Sequence, residues 1–179
     1  QKHHQRAKVY WNSQKKAIKA VNFPRDDKKV KNRPIRLGYF SSEFHAHPVM
    51  HLLSGMFDLH DKTNFNISAF SVGPKVEDQL RSKFVDVFNK FHDVSSLSDS
   101  EIANLARDEE IDIAVDLSGF TKYGRPGIFD YRAAPVQISY LGYPGTMGMD
   151  AIDYLIADKT LVTPESRPFY SEKIIFMPV

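Results

Sequence analysis

The chain has 179 residues, 42% of them hydrophobic and 12% aromatic, enough apolar surface for one full-sized core and too little for two large ones. It contains no cysteine, which excludes disulfides, thiolate metal sites and a cysteine nucleophile; no apolar run approaches the roughly 20 residues of a membrane helix, and "QKHHQRAKVYW" is too polar for a secretory leader. The net charge of +2 hides an asymmetry, since residues 1–36 hold twelve Lys or Arg against only Asp26 and Asp27.

In chain order, Ala7, Tyr10, Trp11, Ala17, Ile18 and Val21 form a loose one-sided helical pattern, and "NFPRDDKKVKNRP" then breaks into a charged linker. This basic arm lacks any nucleic-acid motif and reads as a solvated helix face with a linker, residues 1–33. The chain opens in mid-helix pattern without Met, as expected for a piece of something longer. A folded unit is predicted from residue 34 to 179, with strands at "IRLGYF", "FNISAF", "KFHDV", "IDIAVDL", "VQISYL", "DYLIAD" and "KIIFM". Helical spacing falls between them, in "VMHLLSGMFDLHD", "VEDQLRSKFVDVF", "SDSEIANLARDEE" and a short "GRPGIFDYRA". Ser98 followed by Glu101 is a capping-box signature. Strands alternating with helices at this spacing predict an α/β fold with a Rossmann-like, mainly parallel sheet.

In such sheets ligands gather at the carboxyl ends of the strands, which directs attention to four loops, "SSEFHAHP", "SVGPK", "SGFTKYGRP" and "GYPGTMG". In "SSEFHAHP", Pro48 marks a helix start, and His47 stands at its mouth either as a simple cap or facing an anion drawn to the helix amides. His45, His47 and His51 lack the H-e-x-x-h order of a zinc helix, and no D-x-D pair is present, so the reading is metal-independent. "DLSGFTKYGRP" sets Asp116, Ser118, Thr121 and Lys122 around two glycines, where the hydroxyls and Lys122 can meet a polar substrate, although Lys122 equally suits plain solvation. "LGYPGTMG" places Gly142, Pro144, Gly145, Thr146 and Gly148 in eight positions and matches neither a dinucleotide nor a P-loop signature. Two explanations stay open for it: backbone bared to a sugar or phosphate, and a tight turn packed beneath the next element.

Taken together, "LGYFSSEFHAHPVMHLL", the string R-x-A-P-V-Q-x-x-x-L-G-Y-P-G-T-x-G-x-x-x-x-D-Y-x-I-A-D and "FYSEKIIFMP" resemble the amino-terminal catalytic lobe of the O-GlcNAc transferase and SPINDLY-like glycosyltransferases, from Ile35 to Val179. The resemblance implies one lobe of a GT-B enzyme: an inverting transfer of N-acetylglucosamine from UDP-GlcNAc to Ser or Thr hydroxyls of proteins, without cofactor or obligatory metal. Upstream tetratricopeptide repeats and a downstream UDP-binding lobe would be its partners in the same chain, no membrane or nucleic acid is involved, and these residues alone would be inactive. The absence of cysteine suits the cytoplasm, or the nucleocytoplasm of a eukaryote.

By the same resemblance, His47 belongs beside the donor sugar and phosphates, and Leu141, Gly142 and Pro144 line the N-acetylglucosamine pocket. Glu43 falls where animal members carry an aspartate once considered as a base, and His4, with His3 as rival, matches the histidine favoured as base near the acceptor hydroxyl. Ala46 and Val49 replace the family's Asn and Thr, which keeps a different donor such as GDP-fucose as the alternative; a non-catalytic interaction module is the other. A histidine suits the proton role because its ordinary pKa, about 6.5, lies near working pH.

Overall fold

A computed structural model describes residues 2–14 and 33–178. It comprises α1 (Lys2–Gln14), β1 (Ile35–Ser41), α2 (Pro48–Asp58), β2 (Phe65–Ser71), α3 (Gln79–Val87), β3 (Lys90–Asp93) and α4 (Asp99–Asp108), followed by β4 (Ile113–Asp116), α5 (Gly127–Asp130), β5 (Val136–Tyr140), β6 (Tyr154–Ala157) and β7 (Lys173–Phe176). All seven predicted strands form, and they pair in parallel in the order β3-β2-β1-β4-β5-β6-β7. The chain winds outward from β1 to β3 and then returns beside β1 as β4, so the strand order reverses between β1 and β4. That junction is where an open α/β sheet offers a crevice.

Alternation along the central strands sorts two cores. Leu37, Tyr39, Ile67, Ala69 and Val115 point to one face, where Met50, Leu53 and Phe57 of α2 and Phe84 of α3 cover them. Phe40, Phe70 and Ala114 point to the other, against Ile102, Ala103 and Ala106 of α4 and Phe129 of α5. Phe40 and Phe70 stack there with centroids 4.4 Å apart. The capping box forms: Ser98 Oγ accepts from Glu101 N–H and the Glu101 carboxylate accepts from Ser98 N–H at 2.8 Å.

Helix α1 seats on the second face through Ala7 and Trp11, two of the apolar positions predicted for it; Tyr10 is exposed, and Ala17, Ile18 and Val21 lie outside the described residues. Trp11 is buried, and its indole N–H donates to the Met147 carbonyl at 2.9 Å. Ala7 sits against Gly148, whose backbone is left-handed at φ 64° and where a Cβ would come within 2.6 Å of Ala7 Cβ. Residues 15–32, which hold the end of the predicted helical pattern and most of the predicted linker, lie outside the described residues, as do the side chains of His3 and His4, although His4 has its place on α1.

Candidate active site

A cleft of about 290 Å³ opens at the carboxyl ends of β1 and β4. Its residues come from four loops and the start of α2: Ser42, Glu43, His45 and His47 after β1, Val49 of α2, Pro74 and Val76 after β2, Leu117, Thr121, Lys122 and Tyr123 after β4, and Gly142 after β5. Five of the eight site residues named from the sequence, Glu43, His47, Thr121, Lys122 and Gly142, therefore meet in one hollow.

His47 is the N-cap of α2, with Pro48 at the first helical position. Its Nδ1 accepts a long hydrogen bond, 3.4 Å, from Val49 N–H. A neutral imidazole using Nδ1 as acceptor carries its proton on Nε2. His47 is thus arranged to donate from Nε2, beside a helix start whose free amides and dipole favour negative charge. Cap and anion-facing roles are compatible here.

Glu43 is buried, and four hydroxyls surround its carboxylate. Ser42 Oγ donates to Oε1 at 2.5 Å, and Ser41 Oγ and Ser118 Oγ donate to Oε2 at 2.8 and 2.6 Å. Thr121 Oγ1 lies 3.3 Å from Oε1 but has a shorter acceptor for its single proton in the Ser118 carbonyl, at 2.8 Å. Of the roughly four lone-pair sites of the carboxylate, three are thus occupied by serine hydroxyls. Ser118 Oγ also accepts from Ser42 N–H at 3.0 Å. Glu43 and Ser118 together tie the loop after β1 to the loop after β4, and the tie places Thr121 at the cleft.

Asp116, the neighbour of these residues in sequence, is interior, only 3% exposed. It ends the central strand β4, in register between Phe40 of β1 and Ser139 of β5, so both faces of the sheet cover it. Its Oδ1 accepts from Ser118 N–H at 3.0 Å and Gly119 N–H at 2.9 Å, while its buried Oδ2 has no hydrogen-bond partner. Burial pushes its pKa up to about 6; the two amide bonds oppose the rise and the nearby Glu43 carboxylate adds to it.

The glycine-rich turn after β5 resolves mainly as close packing. A Cβ on Gly142 would lie 1.9 Å from the Leu117 carbonyl oxygen, so only glycine lets the loop after β5 press against the loop after β4. Gly142 N–H bonds back to Tyr140 O at 2.9 Å, bending the chain through Leu141 at φ 66°. Leu141 packs partly buried against the α2 side of the core, and Pro144 is exposed with its carbonyl accepting from Tyr170 O–H at 3.1 Å; neither lines the hollow. Buried Glu172 holds the same turn, accepting from Thr146 Oγ1 at 2.8 Å and Met147 N–H at 2.5 Å. Leu117 and Tyr123, together with Pro74 and Val76 from the loop after β2, line the cleft without having been singled out in the sequence. Only the strand order brings them together.

Among the described residues no group of three or more His, Asp and Glu is placed to hold a metal ion, and no helix is long and apolar enough to cross a membrane. His45 and His47 lie with ring centroids 6.0 Å apart.

A parallel sheet with its crevice at the reversal of strand order, a histidine-capped helix and four converging loops define a Rossmann-like lobe. The sequence model described as Glycosyl transferase family 41 matches residues 11–179, and the chain belongs to that family. It is 35% identical over 144 residues to a probable UDP-N-acetylglucosamine–peptide N-acetylglucosaminyltransferase SEC of Arabidopsis thaliana, covering 80% of this chain and 15% of the relative. It is 31% identical over 145 residues to a UDP-N-acetylglucosamine–peptide N-acetylglucosaminyltransferase of Caenorhabditis elegans, covering 80% of this chain and 13% of the relative. A solved Thermobaculum terrenum O-GlcNAc transferase mutant superposes with a TM-score of 0.89 at 32% identity, over 97% of this chain and 33% of that one. The fold is accordingly the Rossmann-like lobe of a GT-B transferase, and the chain spans about a third or less of the length of these proteins.

Proposed function

We propose that this lobe belongs to a protein O-linked N-acetylglucosaminyltransferase that moves N-acetylglucosamine, with inversion, from UDP-GlcNAc to Ser or Thr hydroxyls of proteins. The observation that carries the reading is the meeting of His47, Thr121 and Gly142 in one cleft at the β1/β4 junction. Such a transfer needs stabilisation of charge on the departing diphosphate, an acceptor hydroxyl held in line with the anomeric carbon, and a route for its proton. The amides at the start of α2 and the Nε2 proton of His47 meet the first need. Glu43, held by three serine hydroxyls, serves here to position the loops after β1 and β4. The acceptor proton is then left to His4, by family resemblance, or to the donor's own phosphate. Lys122 faces the substrate from the opposite wall.

In this reading turnover needs no obligatory metal and needs chain beyond the 179 residues, as the small share of each relative's length supports, and the setting is cytoplasmic or nucleocytoplasmic. The test is a panel of UDP-GlcNAc, other UDP-sugars and GDP-fucose, assayed with the full-length protein for hydrolysis and for transfer to peptides, with and without chelator. His47→Ala and His4→Ala run beside the parent. UDP-GlcNAc is expected to be the donor, with His47→Ala lowering kcat at least about a hundredfold, the usual weight of one transition-state donor. Full turnover by both variants would remove these site assignments, and transfer from GDP-fucose alone would replace the donor.

A further inference from the structure

The loop that carries His47 is braced from outside the cleft, by the first turn of α3. Phe44 anchors its middle: the ring is wholly buried among Phe84, Phe88 and Phe91, with centroids 6.0, 5.6 and 5.5 Å away. The Phe44 carbonyl accepts from the buried Arg81 guanidinium at 3.3 Å, and Arg81 also donates to Ser71 Oγ at 3.1 Å and to the Asp93 carboxylate at 2.9 Å. Two residues beyond Phe44, Ala46 is exposed and has no polar side chain with which to fix the chain. The hold falls on its backbone amide, which donates to Asp78 Oδ2 at 2.7 Å. The next residue is His47. Its own bond to the helix, 3.4 Å, is at the long limit of a hydrogen bond and holds the ring loosely, so the backbone ahead of it decides where the imidazole stands.

Asp78 is at the same time the N-cap of α3, where its Oδ1 accepts from Arg81 N–H at 2.8 Å. Capping takes one oxygen, and Ser, Asn and Asp supply it about equally well. Only a side chain with two acceptor oxygens spans the helix start and the Ala46 amide together. Those two amides, Ala46 first, hold the Asp78 carboxyl below the ordinary carboxylate range, so it is an acceptor at neutral pH. Resting on the glycosyltransferase reading above, we infer that Asp78 is a positioning residue for the transfer: its second oxygen fixes the Ala46 amide and so sets His47 against the departing diphosphate. An effect of charge alone would run the other way. A carboxylate near a diphosphate site opposes binding, so neutralising Asp78 strengthens the hold on UDP-GlcNAc, whereas loss of the brace lowers kcat.

The experiment uses the full-length protein with UDP-GlcNAc and a peptide carrying a single Ser. Asp78→Ser retains an oxygen for the cap of α3 but is too short to reach Ala46 as well; Asp78→Asn keeps the length and sets an NH2 against one of the two amides. In both, the melting temperature should stay within about 4 °C of the parent's. Turnover should fall roughly 5- to 50-fold in kcat with the KM for UDP-GlcNAc unchanged or lower, the pattern of a group misplaced in the transition state. In a His47→Ala background, Asp78→Ser should lower kcat no further, since the residue it acts through is gone. Parental kcat in both variants, or a loss as large without His47 as with it, overturns the assignment and leaves the glycosyltransferase reading in place. A parent that transfers sugar from no nucleotide to any polypeptide overturns both.

Discussion

Replacing Asp116 with Asn removes one charge from the interior and changes almost nothing in shape. The rise of the Asp116 pKa from the ordinary 3.8 to about 6 means that the folded protein holds this proton more tightly than the unfolded chain does. The associated stabilisation is fully present below pH 3.8 and is lost as pH rises through 6. At pH 7.5 the buried carboxylate therefore costs the fold about 3 kcal/mol relative to an uncharged group, at about 1.4 kcal/mol for each pH unit of the rise. Asparagine keeps an oxygen for the Ser118 and Gly119 amides, yet it sets an NH2 where Oδ2 now has no partner, at a cost of about 1–2 kcal/mol. The net expectation is that Asp116→Asn stabilises the protein by about 1–2 kcal/mol at pH 7.5. The cost of the orphaned amide does not depend on pH, whereas at pH 5 the aspartate is largely protonated in the fold. The advantage of Asn should therefore shrink by about 1.4 kcal/mol between pH 7.5 and 5.0. His92, whose pKa burial lowers, destabilises the fold as pH falls through the same window, but it does so equally in both proteins. Urea unfolding of parent and variant at the two pH values measures the difference. A gap that is the same at both would refute the claim that Asp116 is held with a raised pKa.

Two further substitutions test the packing that builds the cleft. Gly142→Ala drives a Cβ into the Leu117 carbonyl oxygen, a backbone atom that cannot step aside, so thermal unfolding should show a loss of about 2 kcal/mol or more together with altered ligand binding; parental stability would mean that the loop after β5 does not press on the loop after β4. Trp11→Ala deletes a buried ring and its bond to Met147 O, with an expected loss of about 3–5 kcal/mol in chemical unfolding, and a loss below about 1 kcal/mol would show that α1 is not seated on the lobe.

The fold was legible because its signals are local. Near-continuous apolar runs such as "IAVD" mark strands covered on both faces, and Ser98 with Glu101 marks a helix start that forms as read. The rule that places ligands at strand ends picked out loops that meet in one cleft, before any pairing was known. What could not be read depends on strand order and contact across the sheet. Asp116 looks like its polar neighbours in a loop until β1 and β5 flank it and bury it. Glu43 looks like a free acid until hydroxyls from positions 41, 42 and 118 converge on it. Gly142 looks like bared backbone, and the Leu117 oxygen that requires it is 25 positions away in a different loop. Tyr123 carries no sequence signal at all, since a left-handed tyrosine, here at φ 62°, is written like any other.

The stretch from Gly142 to Gly148 is gripped from three directions: by the Leu117 carbonyl at one end, by Ala7 and Trp11 of α1 at the other, and by Glu172 in between. One short stretch of chain thus bridges the first helix and the wall of the crevice, so loosening α1 at Trp11 frees one end of the segment whose other end closes against Leu117.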